Sequence, residues 1–202
     1  MARPLSEEKR NALLAAATDA VASSGVAAST LKIAKDAGVA EGTLFVYFPT
    51  KDELLNQLYL DLKSEFRGFL AADYPADAGI EEQMQHLWNR IIDWGTSNPD
   101  KRKALRQLSV SEKITEASQK AGHAMFDDLQ AMVEKGFKTG ILREQPIFFL
   151  GGVVQTLADM VLEMASRDPA KTGQYKQLGW EALWGALARP WDSNSFVGLM
   201  SE

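Results

Sequence analysis

The stretch from Ser29 to Lys51, STLKIAKDAGVAEGTLFVYFPTK, constrains the fold more than any other part of the chain. Ser29 or Thr30 can start a helix by accepting a bond from a free backbone N–H of its first turn. That helix runs through Ile33 and Ala34 and stops at Gly38, the residue type that tolerates the left-handed turn closing a helix. After Val39 a second short helix is predicted from Ala40 to about Tyr47, with Leu44 and Phe48 on one side. Two short helices joined by a tight glycine-containing turn form a helix-turn-helix, whose second helix fits the major groove of DNA.

The flanking sequence supplies the rest of such a head. Leu13, Leu14, Ala17, Ala20 and Val21 recur at three- and four-residue steps, which predicts a helix over Ser6 to Ser24 with one buried face. Its alanines allow the following helices to approach closely. Thr50-Lys51-Asp52-Glu53 is a capping box, with Thr50 as cap and Glu53 reaching back. It opens a long helix to Phe69, which connects the head to the body.

The body reads as entirely helical. Segments are predicted at Ile80 to Trp94, Lys101 to Leu108, Thr115 or Ser118 to Thr139, Pro146 to Ser166, and Thr172 to Ala188. The last carries Trp180, Leu183, Trp184 and Leu187 on its inner face. Pro190 ends it, and Trp191 to Glu202 reads as irregular. No stretch alternates at period two, so the fold class is all-α. The division expected is a helix-turn-helix domain over residues 1–50 and a helical body over 51–202.

Charge bears on partners. The net charge of −5 argues against a protein that coats DNA non-specifically. Residues 1–51, however, hold six of the basic side chains against five acidic ones, so the acidic excess lies wholly in the body. That pattern suits a sequence reader relying on a few placed contacts. The absence of cysteine fits a reducing compartment, and MARPLSEEKR has no apolar core of the kind a secretory signal needs. A cytoplasmic protein is expected. The most apolar run, Phe148 to Ala165, is crossed by Gln155, Asp159 and Glu163 at four-residue spacing, which reads as a protein-packed helix and not a membrane span.

At Ile33-Ala34-Lys35-Asp36-Ala37-Gly38-Val39, Gly42-Thr43-Leu44-Phe45, Tyr47-Phe48-Pro49-Thr50-Lys51 and Leu54-Leu55 the chain resembles the TetR family of bacterial transcriptional regulators. The resemblance covers the head; the remainder matches in length and helical character. It implies a homodimeric regulator, most often a repressor, that binds a palindromic operator in double-stranded DNA and is released by a small, largely apolar ligand. The body would then hold ligand-binding and dimerisation functions.

Several residues follow as candidates. Helix-turn-helix geometry turns Ala40, Glu41, Gly42 and Thr43 to the groove. Gly42 allows close backbone approach, and Thr43 offers a hydroxyl to a phosphate or base and a methyl to thymine. Glu41 either accepts from a cytosine amino group or points away. The resemblance adds phosphate contacts at Thr43, Tyr47 and Lys51, and near Ser29 and Thr30. Phe45 stands where the family usually has tyrosine, so it acts by packing or on a thymine methyl. Tyr47 stands where histidine is common, and its phenol takes over part of that role. In the body, Trp88, Ile92, Met125 and Leu129 are the candidate pocket residues. Gly151 and Gly152, inside an apolar helix, each cost about 1 kcal/mol relative to alanine. Close approach of another helix offsets that, either within the subunit or, as the resemblance implies for the last two long helices, in a four-helix bundle with a second subunit. On the latter reading Gly151, Gly152, Trp180 and Trp184 are the candidate dimer contacts.

Other chemistries find little support. No nucleophile elbow, phosphate loop or zinc-protease helix is present, which argues against an all-α enzyme. The histidines, His86 and His123, each have an acidic residue four positions away, a spacing of surface ion pairs more than of a metal site, and no cofactor is called for. The Lys101-Arg102-Lys103-Arg106 cluster reads as a solvated helix start. The remaining competitor is a DNA-binding architectural or division-control protein on the same scaffold, acting without a ligand.

Overall fold

The structure, a computed structural model, describes residues 5–188 of the chain. Among these residues it contains ten α-helices, two short 3₁₀ turns and no strand. The helices are α1 (Glu7–Ser24), α2 (Thr30–Asp36), α3 (Glu41–Tyr47), α4 (Lys51–Ala71) and α5 (Ile80–Ser97). Then follow α6 (Pro99–Ser109), α7 (Glu116–Ala124), α8 (Asp127–Lys138), α9 (Ile147–Arg167) and α10 (Thr172–Leu187). The expected all-α class is the observed one. Pro190 and the tail from Trp191 lie outside the described residues.

Local chemistry sets the helix ends. Ser6 and Ser29 cap α1 and α2, their hydroxyl oxygens accepting from the N–H of Lys9 at 3.4 Å and of Lys32 at 3.5 Å. Gly38 turns the chain out of α2 at φ +70°, a conformation that a side chain would strain. Thr50 caps α4 by accepting from the Glu53 N–H at 3.1 Å.

The helices sort into two compact units. The first takes in the described residues up to Ala71 together with Ser97–Phe126. Its core joins Leu13, Ala17 and Val21 of α1 to Ile33, Leu44, Leu54 and Leu58, with Ala104 and Leu108 of α6 closing it. Packing thus groups α4, α6 and α7 with the amino-terminal helices, whereas the division expected from the sequence falls after residue 50. The reason is that Leu54, Leu55 and Leu58 of α4 are buried in the same cluster as α1.

The second unit takes in Ala72–Thr96 and the described residues from Asp127 on. Trp88 is its centre, 1% exposed, with its indole N–H donating to the Lys176 carbonyl at 2.8 Å. Its ring lies against Gly179, where an added Cβ would stand 2.5 Å from Trp88 Cζ2. Gln83 is buried and fully used: its amide donates to the carbonyls of Ala76 and Ala78 at 2.9 Å, and its oxygen accepts from the Tyr74 hydroxyl at 3.0 Å.

One expectation is corrected. The single long helix predicted up to Thr139 is two helices, α7 and α8, interrupted at Met125–Phe126. The Arg67 Nε donates to the Met125 carbonyl at 3.0 Å, and the Phe126 ring packs on Phe66 at 6.2 Å, so side chains of α4 hold the chain where helical bonds would otherwise continue. Periodicity alone does not register such a competitor. The apolar helix α9 packs one face against the rest of its unit. Leu150, Ala158, Val161, Leu162 and Ala165 are buried, while Phe148, Phe149, Met160 and Met164 are exposed. By length and composition alone it could cross a membrane.

Candidate nucleic-acid interface

The second helix of the motif, α3, is seven residues long and held from both ends. Leu44 and the following Phe48 are buried and anchor it to the core of the first unit. Thr30, at the first position of α2, donates its hydroxyl proton to the Glu41 carboxylate at 2.7 Å. The Tyr47 phenol oxygen accepts from the Ser6 N–H at 2.9 Å, which ties the end of α3 to the start of α1. The angle of α3 on the head is therefore fixed by side-chain bonds as well as by packing.

These bonds sort the expected contacts. Glu41 is turned to Thr30, so the structure favours its pointing away from bases over its accepting from cytosine. Thr30 has given its one donor to Glu41. Ser29 uses only its oxygen in capping and keeps its proton for an acceptor. Tyr47 likewise accepts internally and retains its O–H as a donor. Gly42 is exposed with nothing within 4 Å of an added Cβ, leaving the backbone open to close approach. Ala40 is exposed, and Thr43 is half-buried.

Phe48 is core, as its spacing from Leu44 implies, whereas Phe45 is 40% exposed and is not a packing residue of the subunit interior. Val46, 62% exposed, was not among the sequence candidates. The signal was present: two positions after a buried Leu44, a helical residue points the opposite way. Leu31, on α2, is exposed as well. Among the described residues Lys32 pairs with Asp36, while Lys35 and Lys51 carry no ion pair.

Further along α4, a set of contacts fastens α7 to it. Asn56, 8% exposed, donates to the carbonyls of Asp52 and Lys113 and accepts from the Thr115 N–H at 2.9 Å, at the cap of α7. Gly122 lets α7 close on Tyr59, since an added Cβ there would stand 2.7 Å from Tyr59 Cε1. Lys63 lies over the Phe126 ring at 5.0 Å and the Tyr59 ring at 5.7 Å. Burial lowers the Lys63 pKa and raises that of Tyr59.

The body candidates divide. Trp88 and Ile92 are buried in the second unit, where Leu129 is half-buried; Met125 belongs to the first unit, at the break after α7. Gly151 and Gly152 are exposed, with nothing within 4 Å of an added Cβ at either, so no packing among the described residues explains them. Trp180 is 5% exposed and stacks on Trp184 at 5.4 Å, so it belongs to the subunit interior, with the half-buried Trp184 at its edge. An open apolar groove runs beside Gly152, lined by Phe148, Phe149, Val153 and Thr156 of α9 and by Ala182 and Ala186 of α10.

Comparison with known proteins fits this geometry. The sequence model for bacterial regulatory proteins of the tetR family matches residues 13–58, from the second turn of α1 into the first turns of α4. An uncharacterized HTH-type transcriptional regulator of Haemophilus influenzae is 30% identical over 122 residues, 60% of this chain and 65% of that protein. The match thus spans a little under two thirds of that relative. A crystal structure from Shewanella sp. PV-4, described as a tetR family transcription regulator, superposes with a TM-score of 0.81 at 26% identity, covering 90% of this chain and 99% of that one. FadR of Bacillus subtilis, solved in complex with stearoyl-CoA, superposes with a TM-score of 0.68 at 17% identity, covering 88% and 98%.

Proposed function

Because the chain belongs to the TetR family of bacterial helix-turn-helix regulators, we propose that it is a cytoplasmic transcriptional repressor, binding a palindromic operator as a homodimer and released by a small-molecule ligand. The observation that carries the reading is α3: a short helix braced by Thr30–Glu41 and Ser6–Tyr47, with its outer face left free. Bracing matters because affinity from one short helix depends on presenting it without an ordering cost.

Dimerisation follows from the same logic. One such helix contacts few bases, and two heads set roughly 34–36 Å apart read successive major grooves. The exposed face of α9 and α10, with Gly151 and Gly152 open to close approach, supports a four-helix contact between two copies. The ligand is small and mostly apolar; in the structurally similar FadR, solved with stearoyl-CoA, the acyl chain is a precedent for the apolar part, while its coenzyme A head is polar and anionic. Release works through α4. Because α7 is fastened to α4 at Asn56, Tyr59 and Arg67, a ligand that displaces α7 displaces α4 and with it the head. A near-complete switch requires the ligand to prefer one state by about 5.5 kcal/mol.

The test is mobility shift on the intergenic DNA upstream of the gene, with Thr43→Ala and Tyr47→Phe beside the parent chain. Both variants are expected to bind more weakly. Unchanged binding by both would remove the contact assignment, and no shift by the parent on that DNA or on selected duplexes would remove the function.

A further inference from the structure

The reading helix has almost nothing polar with which to identify bases. From Ala40 to Tyr47, AEGTLFVY, it contains no Arg, Lys, Asn, Gln or His, the side chains that bond guanine or adenine edges in pairs. Its one carboxylate is engaged by Thr30, and the Tyr47 oxygen lies at the Ser6 N–H. The outer face is apolar instead. With Leu44 fully buried, Gly42 and Val46 lie one turn apart on the opposite side, and Phe45 flanks them. That face is too small for a stable protein interface, which needs about 800 Å² from each partner. It does match a major groove about 12 Å wide, in which the apolar feature is the thymine C5-methyl group.

We infer that Phe45 and Val46 read thymine methyl groups, so that the half-site is specified by apolar contact at thymines and not by bonds to guanine. Gly42 serves this by letting the helix backbone sink to the depth at which Val46 meets a methyl. Thr43 remains the one base-directed hydroxyl. The inference rests on the DNA-reading assignment above and adds to it the chemistry of the reading.

The experiment separates the two. The full chain selects duplexes from a randomised pool, and each thymine of the selected site is then replaced by deoxyuridine, which deletes one methyl and leaves every hydrogen-bonding group in place. At one or two thymines per half-site the affinity is expected to fall about four-fold, the worth of one buried carbon. Changing the symmetric positions together is expected to cost about ten-fold or more. Phe45→Ala and Val46→Ala, at exposed positions, are expected to stay folded and to lose the sensitivity to deoxyuridine at the matching thymine. Changes below two-fold at every thymine, or full sensitivity in both variants, would overturn the methyl reading while leaving DNA binding intact. Failure of any duplex to be enriched would overturn DNA reading itself, and the inference with it.

Discussion

Both α3 and the α9–α10 pair turn apolar side chains to solvent, and the contrast between them is instructive. The α3 face is two large side chains on a seven-residue helix whose ends are hydrogen-bonded to α2 and α1. The α9–α10 face extends along helices of 21 and 16 residues, and Phe148 at its edge is 82% exposed. A small rigid face suits a rigid groove, where position is everything and area is limited. A long face lined by glycine and alanine suits another pair of helices, where affinity comes from area and close approach. Exposure alone does not distinguish the two; length and bracing do.

The sharpest way to break the comparison is to charge the longer face. Gly152→Glu places a carboxylate in open space on a single chain, so the monomer should fold with unchanged helix content. The mass in solution is expected to drop from twice 22.2 kDa to the single-chain value. Operator affinity should fall about 10²-fold, since the second head no longer binds as a linked site. An unchanged dimer would reassign the face.

Glycine to alanine at two positions gives a smaller, opposed pair. At Gly179 the new methyl meets Trp88 and Val161 at 2.5 and 2.6 Å, and thermal or denaturant unfolding should show a loss of about 1–3 kcal/mol. At Gly151 nothing stands in the way, so the isolated chain should gain about 0.5–1 kcal/mol from helix propensity. If the dimer needs the bare backbone there, the dimerisation constant should weaken at the same time. Stabilisation of both monomer and dimer would show that the helices do not approach at Gly151.

On the α3 side, Tyr47→Phe removes the acceptor of the Ser6 N–H, with an expected loss of about 0.5–1.5 kcal/mol in stability. Hydrogen exchange at the Ser6 amide reports the lost bond directly. Unaltered protection would mean that α3 is braced by packing alone.

The smallest effect concerns Lys63 and is read from pH. Burial holds its folded pKa below 10.5, so the folded protein releases this proton at a lower pH than the unfolded chain does. The unfolded state then binds more protons, and stability gains from this residue as pH rises through the folded value toward 10. Above pH 10 ionisation of Tyr59 in the unfolded chain works in the opposite direction. Lys63→Met should flatten the slope of stability against pH on the alkaline approach to the ordinary lysine value of 10.5, relative to the parent chain. An identical slope in the variant would show the ammonium to be effectively solvated.

What could be read in the chain by itself was whatever rests on neighbours in sequence. Caps at Ser29 and Thr50, the left-handed Gly38, the buried face of α1 and the α2–turn–α3 unit are local, since each depends on residues within four positions. Those local signals suffice for an all-helical fold and for locating the reading helix. Only tertiary structure decided what lies across space. It broke the predicted helix at Met125–Phe126 through Arg67 and Phe66, left Gly151 and Gly152 uncovered by the described residues, and grouped α4 with the head. It also joined Glu41 to Thr30. The physical reason is common to all of these: a side chain's partner is chosen by packing among distant segments, and a pattern of three and four residues carries no information about which segment will arrive.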